Sequence, residues 1–215
     1  RVWEETDTPS EWSSEAKFRA VPERLSSGQW IGAITRQNAH LPEGRKFHGG
    51  ELKKPEVKAA WEAVDTLAKK SICLRRTFQV GDAKEGGANR KPGKKIVEAT
   101  AYVCGLGFYE FSLNGKKMGN SEFAPLWSDY DKTVYYNTYD VTEQLRRGEN
   151  VVGILLGNGF YNVQGGRYRK LQISFGPPTL LFELVINYED GTCTTVHSDN
   201  NWKYDFSPVT FNCIY

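Results

Sequence analysis

The sequence predicts an all-β fold: an antiparallel β-sandwich of the jelly-roll kind with one short helical insertion. Three observations carry this expectation. Strict two-residue alternation recurs. In FYEFSL, Tyr109, Phe111 and Leu113 point one way and Glu110 and Ser112 the other; in TLLFELVINY, Leu180, Phe182, Leu184, Ile186 and Tyr188 share a face. Asn114-Gly115 follows FYEFSL directly, and both central positions of a type I′ hairpin turn require the positive φ that Asn and Gly adopt most readily. Aromatic residues make up 13% of the chain and glycine supplies 21 of its 215 residues, a composition suited to pleated surfaces joined by tight turns.

The elements follow in chain order. Residues 1–20 read as two short strands around the Thr8-Pro9-Ser10 turn. Two short strands do not fold alone, so they are expected to be the tail of a preceding domain, with a second domain over residues 21–215. Residues 37–50 are polar and glycine-containing and read as loop. Pro55 suits the first turn of a helix, and Val57, Ala60, Trp61, Val64 and Leu67 then repeat at helical spacing. The spacing predicts a helix over about 55–68 inside an insertion spanning 37–70, its apolar stripe covering a sheet edge or one end of the domain. Strands are expected in SICLRRTFQV, IVEATAYV, FYEFSL, VYYNTYDV, VVGILLG, TLLFELVINY and TCTTVHS, with NWKYDF and VTFNCIY closing the chain. GDAKEGGANRKPGKK has no period and reads as loop, and VTEQLRRGEN as a short helical turn. VVGILLG is apolar on both faces and reads as a central strand covered on both sides. Glu189-Asp190-Gly191 reads as the turn that brings TCTTVHS back along TLLFELVINY. Strands at this spacing with a single helix favour a sandwich.

Composition narrows the function classes. The net charge is +2, and Lys and Arg are interspersed with acids, so nucleic acid gains no electrostatic footing. Mean hydropathy is −0.56 and no long apolar run occurs, so no membrane span is expected. The opening RVWEETDTPSEW lacks the pattern of a secretory leader and reads as part of a longer folded polypeptide. Cys73, Cys104, Cys193 and Cys213 form no CxxC pair, and His40, His48 and His197 stand at no ligand spacing, so zinc is not expected. The cysteines read as small buried hydrophobes, with pairing left open.

Few residues suggest bond-making chemistry. Asp129 and Asp131 flank Tyr130 in WSDYDK, but carboxylates two apart on one segment project side by side and do not oppose each other across a sugar. Bonding to backbone amides in a turn is the expected role. GLGFYE and GNGFYN both miss the dinucleotide pattern GxGxxG, at Glu110 and at Asn162, and neither opens a helix. Their glycines are expected to permit tight turns and close backbone approach. No GxSxG motif and no Ser-His-Asp signature is present. The loops instead combine Trp127, Tyr130, Phe160 and Tyr161 with Asp129, Asn158, Asn162 and Arg167. Sugars offer C–H faces to aromatic rings and hydroxyls to carboxylates, amides and guanidinium groups, so this set is a candidate carbohydrate rim. Plugging the mouth of the sandwich is the alternative role for the same rings. Loop carbonyls with Asp and Asn oxygens also suit calcium, although no recognisable calcium-loop motif accompanies them.

Together, LRRTFQV, AYVCGLGFYEFSLNGKKMGN, APLWSDYDKTVYYNTYDVTEQLRRGENVVGILLGNGFY and NWKYDFSPVTFNCIY resemble the N-terminal β-sandwich domain of bacterial α-L-rhamnosidases of glycoside hydrolase family 78. QWIGA resembles the segment leading into that domain, and RVWEETDTPSEWSSEAKF the last strands of a preceding fibronectin type III-like domain. The resemblance implies a galactose-binding-like jelly roll and a parent enzyme that removes terminal α-L-rhamnose from glycans or glycosides by inversion. In that family the catalytic acid and base lie in an (α/α)6 barrel further along the chain, so no catalytic residue is assigned here. The implied role is a non-catalytic module that recognises a rhamnose-containing glycan or packs as a spacer against neighbouring domains, in a periplasmic or extracellular setting. Some sandwiches of the family bind rhamnose with calcium. Members often carry Asp at the place where Asn120 follows Gly119 in this chain; that departure weakens a charged calcium ligand and leaves Asn120 and Asp129 as weak calcium candidates.

Overall fold

The computed structural model describes residues 10–11, 25, 27–35, 46–48, 50, 53–64, 66–81, 94–163 and 171–212. The expected tail strands over 1–20 lie outside the described residues apart from Ser10 and Glu11, and so do Arg167 and Cys213.

Two antiparallel sheets form the body. The strands are β1 (Lys46–His48), β2 (Ile72–Val80), β3 (Ile96–Leu106), β4 (Phe108–Leu113), β5 (Lys116–Lys117) and β6 (Asn137–Asp140). They continue with β7 (Gly148–Gly157), β8 (Asn162–Val163), β9 (Leu171–Ser174), β10 (Thr179–Tyr188), β11 (Cys193–His197) and β12 (Lys203–Phe206). One sheet runs in the order β12-β2-β7-β4-β5, the other β11-β10-β3-β6, and a small sheet β1-β9-β8 stands beside them. The inner faces meet in one core, where Phe111 of β4 packs edge-on against Phe182 of β10 at 5.8 Å and Phe182 against Trp202 at 5.3 Å. The five alternating residues predicted to share a face of β10 all lie in this core. On the opposite face of β10, Leu181 and Glu183 are buried as well. The Gln29–Ala33 stretch takes up the edge of β10 where β11 ends, through paired backbone bonds between Ile31 and Leu180.

The Asn-Gly hairpin forms as predicted, with φ of 54° at Asn114 and 82° at Gly115. Five expectations need correction. Within residues 37–50, expected to be loop, Lys46–His48 pair with β9 as the strand β1. The helix α1 (Pro55–Glu62) is shorter than predicted; a separate 3₁₀ turn, Thr66–Lys69, follows it. The tighter 3₁₀ advance carries Leu67 outward and turns Ala68 inward, so Val57, Trp61, Val64 and Ala68 form the buried cluster with Ile34. VYYNTYDV pairs only over Asn137–Asp140; β3 runs on to Leu106, but the preceding chain does not pair with it, and Val134 and Tyr135 lie exposed. β7 is the middle strand of its sheet, but within VVGILLG only Val152, Ile154 and Leu156 are buried. Val151, Gly153 and Leu155 on the other face are half-buried, since no second layer covers them. Cys104 is buried, whereas Cys73 and Cys193 sit on outward positions of their strands and are exposed. Among the described residues no helix is long and apolar enough to cross a membrane.

Candidate functional site

Two loops meet at one end of the sandwich. The first runs from β5 to β6 and contains the WSDYDK motif. The second, GNGFYN, leaves the central strand β7 and leads into β8. The first loop is tied to β4 by the Tyr109 N–H donating to the Ala124 carbonyl at 2.8 Å. It turns on Asp129, whose carbonyl accepts from the N–H groups of Lys132 and Thr133, while the Ser128 hydroxyl donates to the Thr133 carbonyl at 2.6 Å.

The second loop is anchored from behind by a ladder of amides. Asn158 donates to the Lys69 carbonyl and to the Asn212 side-chain oxygen, and Asn162 donates to the Ala68 carbonyl and to the Asn158 side-chain oxygen. Ser174 completes the ladder by donating to Asn162 at 2.8 Å. Buried amides are stable only when bonded in this way. Gly159 is needed at the turn: its φ is +53° and a Cβ there would come within 2.8 Å of the Phe108 nitrogen. The ladder holds Asn158 inward at 1% exposure and leaves the following pair, Phe160 and Tyr161, half-buried at the surface.

The two loops clasp each other ring on ring. Trp127 stacks on Phe160 with centroids 5.0 Å apart and planes 21° apart, and Tyr130 meets Tyr161 edge-on at 5.1 Å. Phe108 braces Phe160 at 5.7 Å, and Phe175 packs against both Tyr130 and Tyr161. Trp127 is 63% exposed although Phe160 covers one of its faces, so the other face is open to solvent. Such offset and edge-on pairs favour a fixed ring orientation over a mobile one. Burial pushes the Tyr130 hydroxyl up to about 12, so it stays neutral.

Asp129 is exposed and 2.9 Å from the Lys132 ammonium, which holds its carboxyl below the usual carboxylate range. The pair sits beside the open Trp127 face in sequence and offers both an acceptor and a donor. Of the calcium candidates, Asn120 and Asp129 are both exposed and Asp129 is ion-paired with Lys132; among the described residues no three His, Cys, Asp or Glu side chains gather as a metal group.

The structure thus brings Trp127, Asp129, Tyr130, Phe160 and Tyr161 to one rim and turns Asn158 and Asn162 into its support, while Arg167 lies outside the described residues. Phe108, Phe123 and Phe175 belong to the same ring assembly and were not singled out from sequence. The glycine at 107, next to Phe108, is the signal that marks the place. Its φ of +127° leads β3 straight into β4, and a Cβ there would run into the Gly157 carbonyl at the base of the second loop.

A family model described as the α-L-rhamnosidase N-terminal domain matches residues 94–215. An α-L-rhamnosidase of Formosa agariphila is 33% identical over the whole chain, which covers 21% of that protein, and one of Streptomyces avermitilis is 35% identical over 72% of the chain and 14% of its own length. Among solved structures, α-L-rhamnosidase from Dictyoglumus thermophilum aligns with a TM-score of 0.56 at 32% identity over 68% of this chain and 14% of that one. The S. avermitilis α-L-rhamnosidase, solved in complex with L-rhamnose, aligns with a TM-score of 0.56 at 33% identity over 65% of this chain and 12% of that one. The chain therefore spans about a fifth or less of the length of these relatives. With a family match over more than half of its residues and an antiparallel sandwich beneath it, this chain belongs to the α-L-rhamnosidase N-terminal domain family.

Proposed function

We propose that this chain is a non-catalytic, carbohydrate-recognising module of an α-L-rhamnosidase, and that its rim takes a terminal α-L-rhamnose unit. The parent enzyme would hydrolyse that unit elsewhere in its sequence, in a periplasmic or extracellular setting, with residues 1–20 ending a preceding domain. One observation carries the reading: Trp127 presents an open indole face, backed by Phe160 and flanked in sequence by the Asp129–Lys132 ion pair. The C–H face of a deoxy sugar stacks on such a platform, and its hydroxyls bond to the charged pair at the edge. A relative solved with L-rhamnose makes that sugar the natural probe.

The test is a titration of the 215-residue chain with L-rhamnose, followed by NMR at the indole N–H groups. At about 20 mM sugar, even a complex held by about 2–3 kcal/mol is half-formed. The Trp127 signal should shift and saturate, Trp127→Ala should abolish the response, and Trp30→Ala should leave it intact. An unmoved Trp127 signal at that concentration would remove the binding role and leave the chain a structural spacer.

A further inference from the structure

Beside the rim lies an apolar groove of about 430 Å³, walled by Phe108, Phe123, Leu155, Val209 and Phe211. Phe123 is 66% exposed, Phe211 60% and Val209 42%, so large apolar side chains face solvent together. The polar side chains Asn212, Glu110 and Glu122 of the lining already have partners. Asn212 donates to the Lys69 carbonyl and to the Ser71 hydroxyl, and accepts from Asn158. Glu110 and Glu122 share the Lys117 ammonium at 3.0 and 3.2 Å. A sugar in this groove would meet rings without converging partners for its hydroxyls. An apolar protein surface needs no such partners and fits the groove as it stands.

The position of the groove identifies what covers it. Val209, Phe211 and Asn212, among the last residues described, form one of its walls. The matched family is an N-terminal domain, and the chain spans only 21% and 14% of two full-length relatives, so most of such an enzyme lies beyond this stretch. A domain connected through the groove's own wall is delivered to it at high effective concentration. We propose that this groove is the seat of the polypeptide that follows residue 215 in the parent enzyme, an apolar face of the next domain closing over Phe123 and Phe211. The inference rests on membership of a longer enzyme and not on sugar binding at Trp127.

Hydroxyl-radical footprinting of the full-length enzyme, read by mass spectrometry in sugar-free buffer, tests it. Corrected for intrinsic reactivity, Phe123 and Phe211 should be oxidised several-fold more slowly than Tyr204 and Trp30, which are 53% and 46% exposed and do not line the groove. Equal rates would overturn the proposal. So would protection that disappears on dilution together with a dimer in the ultracentrifuge, which would assign the groove to a second copy, and protection that arises only on adding L-rhamnose. As a second measurement, the double variant F123D/F211D of the full-length enzyme should show a larger radius of gyration in X-ray scattering and a separately melting module. Unchanged scattering and a single transition would count against the seat. Trp127→Ala should leave the protection of Phe123 and Phe211 intact, so the docking and sugar readings fail independently.

Discussion

At the scale of single residues, Asn114 joins backbone conformation to side-chain bonding. It is the sole non-glycine residue with positive φ among the described residues. Its side chain donates to the Gln144 carbonyl and the Asn150 side-chain oxygen, and accepts from the Val151 N–H. A turn residue that also bonds to the neighbouring strand fixes the hairpin and its register at once. Alanine, without the local side-chain bonding that lets asparagine adopt the left-handed region, would meet a conformational cost of up to about 1–2 kcal/mol there, and would lose the bonds, at about 1 kcal/mol net for each that leaves a buried partner unsatisfied. Asn114→Ala should therefore lower stability by about 2–3 kcal/mol, and Asn114→Gly, which loses only the bonds, by about 1–2 kcal/mol. Urea unfolding with an unchanged slope measures both. Equal losses in the two variants would show that the conformational part is absent.

Among the elements, the turn between β10 and β11 was readable from Glu-Asp-Gly, but its electrostatics were not. Asp190 accepts from the Thr192 hydroxyl at 2.6 Å and from its backbone N–H at 3.0 Å, and pairs with the Lys94 ammonium at 2.9 Å. These contacts, the Thr192 hydroxyl first, lower the Asp190 carboxyl to about 2. A carboxyl depressed in the folded state contributes stability above its unfolded pKa of about 3.9, and that contribution fades as pH falls through the folded value. Asp190 should titrate near 2 by NMR, and the wild-type chain should lose more stability than Asp190→Asn as pH falls from about 4 to about 2. Identical acid limbs for the two would refute the linkage. Lys94 comes from a stretch without period, 98 residues before Thr192 in sequence, so no local pattern announces the contact. Legible strands share one trait: one face buried in the common core. Residues 134–136 have apolar and aromatic character but do not pair with β3, so composition alone misplaces the start of β6.

In the molecule as a whole, the sandwich and the rim differ in how much the sequence discloses. The core follows from period and register, because a strand with one buried face leaves few alternatives. The rim was partly legible. Trp127 with Phe160 and Tyr130 with Tyr161 were marked by aromatics clustered in two loops, and the structure pairs them. The inward turn of Asn158 depends on Lys69 and Asn212, which approach from distant parts of the chain, and the groove depends on Phe123 and Phe211, each isolated in sequence.

The same dependence on assembly gives the last prediction. Phe182 is fully buried between the sheets, in contact with Phe111 on one side and Trp202 on the other. Its removal opens a cavity that neither sheet can close alone, so Phe182→Ala should cost about 3–5 kcal/mol, against less than about 1.5 kcal/mol for Phe182→Leu. Because one cluster serves both sheets, the loss should fall on the molecule as a unit. Fluorescence, which senses Trp202 beside the cavity, and far-ultraviolet circular dichroism, which senses both sheets, should give coincident urea midpoints in each variant. Midpoints that separate would show that the two sheets hold separate cores, contrary to the packing of Phe111 on Phe182.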